Sequence, residues 1–160
     1  MGIKRSLSKK RLDLPTTRNP NKRNIKITDI QTAVVGETGE YGSFLWSFVR
    51  VYTDIGIVGT GESFPSGGVP TNVERIKPFL IGENPLDIDR LTEQMYERMT
   101  LEGSMAGTIV SAISGIEIAL HDIAGKVLEV PAYQLLGGSY RDSVRGYIDC
   151  DHERGWEPEE

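Results

Sequence analysis

Apolar positions recur with two different periods along this chain, and the change of period divides it. Residues 25–35 are rich in β-branched side chains and read as a strand. Residues 44–53 alternate: Leu45, Ser47, Val49 and Val51 fall on one face, and Trp46, Phe48, Arg50 and Tyr52 on the other. Asp54, Ile55 and Gly56 form a turn, because glycine accepts the positive φ of a tight hairpin. Residues 57–63 return as a third strand. Between these runs lie two glycine-bearing loops, residues 36–43 (GETGEYGS) and 64–69 (FPSGGV). The pattern predicts a three-stranded antiparallel meander.

The period then becomes helical. Thr71 and Glu74 have the spacing of a capping box, which predicts the start of a first helix there, and Pro78 predicts its early weakening. Ile88, Leu91, Met95 and Met99 mark one face of a second helix over residues 87–99. Residues 101–107 read as a linker. From 108 to 128 a third helix is apolar on nearly every side, which predicts burial on both sides. Its Glu117, His121, Asp122 and Lys126 mark it as a buried soluble helix rather than a membrane span. Pro131 starts a short fourth helix, and Gly137 ends it in a left-handed cap. Residues 144–149 read as a last strand with no partner. The expected fold class is α+β: a three-stranded antiparallel meander followed by a helical bundle.

Charge separates the ends from the body. Residues 1–24 hold eight Lys or Arg against Asp13, so in a chain of net charge −5 the remaining residues carry −12. The basic stretch lacks apolar periodicity and contains Pro15 and Pro20, so residues 1–24 are expected to be a disordered basic tail upstream of a domain that starts near Asn24. Such a tail can touch nucleic acid or an anionic membrane surface. The acidic body opposes nucleic-acid binding by the fold itself and suits solubility. The single cysteine, Cys150, excludes an internal disulfide and fits a reducing cytoplasm.

Candidate chemistry is sparse. Glu117 and His121, four residues apart, share a helix face and are two potential metal ligands, but a metal site normally needs three or four. The alternative is a polar pair that meets another domain. Asp122 is expected to pair with backbone or an arginine. Asp149, Asp151, His152 and Glu153 cluster after the last strand. Gly59-x-Gly61 lacks the third glycine and the following helix of a dinucleotide cradle, so it is a strand feature. Ser63 and Ser66 have no evident base partner for a hydrolase triad.

Five segments in order carry a family resemblance: KITDIQTAVV, TDIGIVGTGES, IKPFLIGENPLDID, SAISGIEIALHDIAGK, and PAYQLLGG followed by RDSVRGY. Together they resemble the N-terminal capping domain of the enolase superfamily, in its mandelate racemase/muconate lactonizing branch, running into the first barrel strand. His121 departs from the aromatic residue, usually Trp, that relatives often carry. The resemblance implies a capping domain at residues 25–137 and the start of a truncated β/α barrel at 138–160.

The resemblance also implies a chemistry: proton abstraction next to a carboxylate, with Mg²⁺ stabilising the enediolate and a Lys or His as base. The enolase superfamily is a standard example of that arrangement. Base and metal ligands would lie on later barrel strands, so neither is assigned to this chain, which alone is expected to be inactive. The expected partner is a small carboxylate substrate such as a sugar acid. Acid-sugar dehydration is the preferred reaction, with racemisation and cycloisomerisation open. Two capping loops would close over the substrate, and Glu40, Tyr41, Phe64 and Ser66 are the candidate contacts. A second class stands beside the enzyme: a free-standing binding module. Exposed apolar surface would be covered by a barrel or by self-association.

The tail reading has a direct check. Removing residues 1–23 is expected to leave the Tm unchanged, because a segment without apolar periodicity cannot offset its ordering entropy. A drop of many degrees in a thermal melt would show the segment packed.

Overall fold

Alternation along the second strand decides which side of the sheet the helices cover. The structure, a computed structural model, describes residues 24–39, 42–64, 67–100 and 106–147. Its elements are β1 (Ile27–Gly39), β2 (Gly42–Thr53), β3 (Val58–Ser63), α1 (Val69–Leu80), α2 (Ile88–Thr100), α3 (Thr108–Leu128) and α4 (Ala132–Leu135). The strands form an antiparallel sheet in the order β1-β2-β3. Ser47, Val49 and Val51 of β2 are fully buried, with Ile27 and Ile30 of β1, against the helices. No described element packs on the opposite face, where Phe48 and Tyr52 are half-buried and Arg50 is exposed. The turn between β2 and β3 places Gly56 at φ 79°, as expected there.

The core lies between the inner sheet face and three helices. Leu91, Met95 and Met99 of α2 are buried at the expected spacing, beside Val73, Ile76 and Leu80 of α1. α3 is the central helix and packs on β3, β2, α1, α2 and α4. Its length and composition would also allow it to cross a membrane. Here one side lies on the sheet, while Ile118 and Leu128 are half exposed, so the expected burial on both sides is not met.

α3 meets β3 backbone to backbone. A Cβ on Gly59 would lie 2.1 Å from the Ala119 carbonyl oxygen, and one on Gly61 would lie 2.0 Å from that of Gly115. Gly115 in turn faces β2 and β3: a Cβ there would lie 2.9 Å from Val49 Cγ2 and 3.0 Å from Ser63 Cβ. Side chains are excluded on both sides of this seam. Beside it the buried Ser63 hydroxyl donates to Ser47 Oγ (3.2 Å), which satisfies two polar groups in an apolar layer.

The seam also brings α3 side chains to the free edge of β3. The Thr60 N–H donates to Asp122 Oδ2 (2.8 Å), and Lys126 Nζ donates to the Val58 carbonyl (2.7 Å) and to Asp122 (2.7 Å). These two side chains stand where a fourth strand would pair, which blunts an edge otherwise open to other chains. The start of the β1 edge is closed by the loop after α1: the Ile27 N–H donates to the Glu83 carbonyl and the Gly82 N–H to the Ile27 carbonyl.

Three local expectations change, and the one at Pro78 holds. Strand pairing runs through most of residues 36–43: β1 and β2 stay in register from Val35–Trp46 to Gly39–Gly42, continuing the register held by the buried rows before it. α1 starts at Val69, earlier than the capping box predicts. Gly68 is its N-cap, without a side-chain cap bond, so Thr71 already lies inside the helix, and Pro70 serves the first turn. Pro78 lies inside α1, which ends two residues later at Leu80, in line with the early weakening expected there. Residues 144–147 are exposed and form no strand, with no strand beside them among the described residues; 148 and 149 lie outside the described residues. The short α4 matches expectation, with Pro131 at its N-cap, Gly137 at φ 108° after it, and the Gly138 N–H on the Tyr133 carbonyl.

Two measurements check this packing. Gly61→Ala is expected to cost about 3 kcal/mol or more, since a methyl group must displace helix backbone rather than a flexible side chain. Gly67→Ala, which meets open space, should stay within about 0.5 kcal/mol in the same denaturant titrations. The second concerns pH. The hydrogen bond from Lys77, then that from Gln31, holds the Asp29 carboxyl below the usual carboxylate range. The folded state therefore favours ionised Asp29. Its contribution is present at neutral pH and is lost as pH falls below the ordinary carboxylate value of about 4 and through the lowered one. Asp29→Asn should lower Tm slightly at pH 7, and the difference from the parent should vanish on acidification.

Candidate functional site

β1 and β3 run in the same direction with β2 between them, so the β1–β2 turn and the segment after β3 leave from one end of the sheet. β3 ends where Ser63 pairs with Ser47, whose other neighbour is Val34. Beyond that point five further pairs, Val35–Trp46 to Gly39–Gly42, continue as a two-stranded arm. At about 3.4 Å per residue it reaches about 17 Å past the end of β3. At its base, apolar side chains are exposed on both faces: Val34 and Leu45 on one, Val35 and Trp46 on the other.

The second loop begins at Phe64, which is 72% exposed. It returns at Gly68, where a Cβ would lie 2.9 Å from Thr108 Oγ1 at the start of α3. The same Thr108 hydroxyl accepts a hydrogen bond from Nδ2 of the buried Asn72 (3.0 Å). This ties the far side of the loop to both α1 and α3. Beside Phe64 lies an open groove of about 440 Å³, lined by Glu62, Ser63, Val110, Ser111 and Ser114. Ser111 donates to the Gly107 carbonyl. The groove therefore places the Glu62 carboxylate and the Ser114 hydroxyl next to an exposed aromatic ring and Val110, while the Ser63 and Ser111 hydroxyls are engaged within the protein.

Of the four residues predicted to face substrate, Phe64 occupies this end of the molecule; Glu40, Tyr41 and Ser66 lie outside the described residues. So do Cys150 and the cluster Asp149, Asp151, His152 and Glu153. Sequence reasoning missed Glu62, Ser111 and Ser114. The outward phase of Glu62 in β3 and the small-polar face at 111 and 114 are visible in the sequence, but only the seam brings them together.

The described residues do not fit a Mg²⁺ site. Among them no three His, Cys, Asp or Glu side chains gather as potential ligands. His121 uses Nδ1 toward the Glu117 backbone carbonyl (3.0 Å), so the pair is joined through the main chain and not through the carboxylate. Asp122 binds the β3 edge, pairing with backbone as expected and with Lys126 rather than an arginine.

Residues 22–137 match the family described as "Mandelate racemase / muconate lactonizing enzyme, N-terminal domain". Over 149 residues the chain is 55% identical to D-xylonate dehydratase of Haloferax volcanii, covering 93% of this chain and 35% of that protein. It is 43% identical over 105 residues to D-galactonate dehydratase of Verminephrobacter eiseniae, covering 64% of this chain and 27% of that one. The crystal structure of a mandelate racemase/muconate lactonizing enzyme-like protein from Rubrobacter xylanophilus superposes with a TM-score of 0.66 at 38% identity, over 74% of this chain and 29% of that one. The chain thus spans about a third or less of the length of these proteins. With the meander, the helices and the matched residues in agreement, the chain belongs to the N-terminal domain family of the mandelate racemase/muconate lactonizing branch of the enolase superfamily.

Proposed function

We propose that this chain is the substrate-capping part of an acid-sugar dehydratase that works by proton abstraction next to a carboxylate. One observation carries the reading: the arm and the Phe64 loop leave from the same end of the sheet, in a chain 55% identical to a D-xylonate dehydratase. In this role Glu40, Tyr41, Phe64 and Ser66 face the substrate, and the hydroxyl-lined groove beside Phe64 widens the polar surface toward it. Dehydration removes a proton beside the carboxylate and a hydroxyl from the next carbon. The cap contributes by binding the polyol and by excluding water from the charged intermediate. In the whole protein a Mg²⁺ would supply the stabilisation of that charge, and no cluster of potential ligands for it lies among the described residues.

In this reading the exposed α3 positions Ile118 and Leu128, with Leu136 of the following segment, would face the part of the longer relatives that this chain does not span. Left uncovered, apolar area at about 25 cal/mol per Å² favours association. The enzyme is read as cytoplasmic, without membrane or nucleic-acid partners.

A chimera tests the function. This chain replaces the matching first third of the Haloferax D-xylonate dehydratase, and the product is assayed with Mg²⁺ against D-xylonate and D-galactonate. The chimera is expected to dehydrate a sugar acid, while the 160-residue chain alone shows no turnover. A folded chimera without dehydration, or turnover by the isolated chain, would refute the assignment.

A further inference from the structure

Two serines stand buried at the root of the arm, in a layer that is otherwise apolar. On the helix-covered face of the sheet the cross-strand rows read Ile30–Val51–Gly59, then Thr32–Val49–Gly61, then Val34–Ser47–Ser63. The serine row is the last with three strands. Helix cover also ends within it. Gly115 of α3 packs on Ser63, where a Cβ would lie 3.0 Å from Ser63 Cβ, whereas Val34 at the other end of the row is 52% exposed. Along β2 the change is abrupt: Ser47 is 0% exposed, and Leu45, next outward on the same face, is 47% exposed. The hydroxyl pair, Ser63 donating to Ser47 Oγ, therefore sits where the third strand and the helix both stop backing the ribbon.

We propose that the Ser47–Ser63 pair is the stop of a hinge: it confines bending to the ribbon beyond it, and the first row to flex is Val35–Trp46. Both hydroxyls are buried, and each is satisfied by the other only while β2 and β3 lie side by side at this row. Bending that reached the row would part them and break a side-chain tie between the two strands. One row further out β3 has ended, and β2 has only β1 beside it. Resistance to opening therefore rises in one step at Ser47, and the buried rows inside it are shielded from the movement of the arm. The use of that movement to close over a substrate rests on the dehydratase reading; the position of the bending line does not.

Hydrogen exchange of the 160-residue chain, read amide by amide and without any substrate, tests it. In the parent, protection of the hydrogen-bonded amides should rise about a hundredfold or more between the arm and the rows from Val34–Ser47 inward. Ser47→Ala and Ser63→Ala each leave one hydroxyl buried without its partner. In each, exchange at the serine row and the row inside it should quicken about tenfold or more, while α2 amides keep their parent rates. The double variant S47A/S63A leaves no orphaned hydroxyl, and exchange at these rows should return to within about threefold of the parent. A step in protection at another row, single variants without effect, or α2 amides quickened as much as the arm root would overturn the proposal. So would a double variant that exchanges faster than both singles, the mark of lost packing rather than of a lost pair. The parent profile and the double variant decide the matter even where a single variant does not fold.

Discussion

Everything in this domain hangs on the contact between the β3 and α3 backbones. Two glycines of one strand and one of the helix let the main chains approach until no Cβ fits between them. At that distance α3 has little freedom to slide or roll without striking backbone. The other helices are then placed by α3, since α1, α2 and α4 all pack against it. The same contact sets the polar details. Asp122 and Lys126 reach the β3 edge because the helix lies so close, and Thr108 arrives beside Gly68 and Asn72. A larger residue at Gly61 would disturb the edge seal and the anchor of the second loop together.

Local chemistry was legible in the sequence; long-range pairing was not. The alternation in β2, the spacing of Leu91, Met95 and Met99, the Gly56 turn and the Pro131-to-Gly137 bracket of α4 depend on near neighbours, and each reads correctly. Gly59-x-Gly61 was recognisable as a strand feature, but its reason lies about sixty residues away in Gly115 and Ala119. The glycines from 36 to 42 look like a loop because local propensity favours one. Continued pairing with a partner strand overrides that propensity. The reverse happens at residues 144–147, where strand propensity without a neighbour gives no strand. At the candidate site, Phe64 was legible as a loop aromatic. The hydroxyl-lined groove was not, because it joins β3 to α3 across the seam.

The domain therefore combines two mechanical regimes. Its body is locked by backbone contact and by buried side chains on one side of the sheet. The arm beyond Ser47 has one strand on each side of a two-stranded ribbon and lies past the end of β3. Isolated two-stranded ribbons are marginal in water. Local opening is cheapest where few buried apolar contacts back the hydrogen bonds. The arm can thus bend or separate without drawing on the core, whereas the second loop, tied at Gly68 and Thr108, is anchored at its far end. In the proposed role of a cap, the body would be the rigid part and the arm the part that bends. Closure would then cost the energy of the ribbon alone, and the α3–β3 seam would remain the rigid base against which it moves.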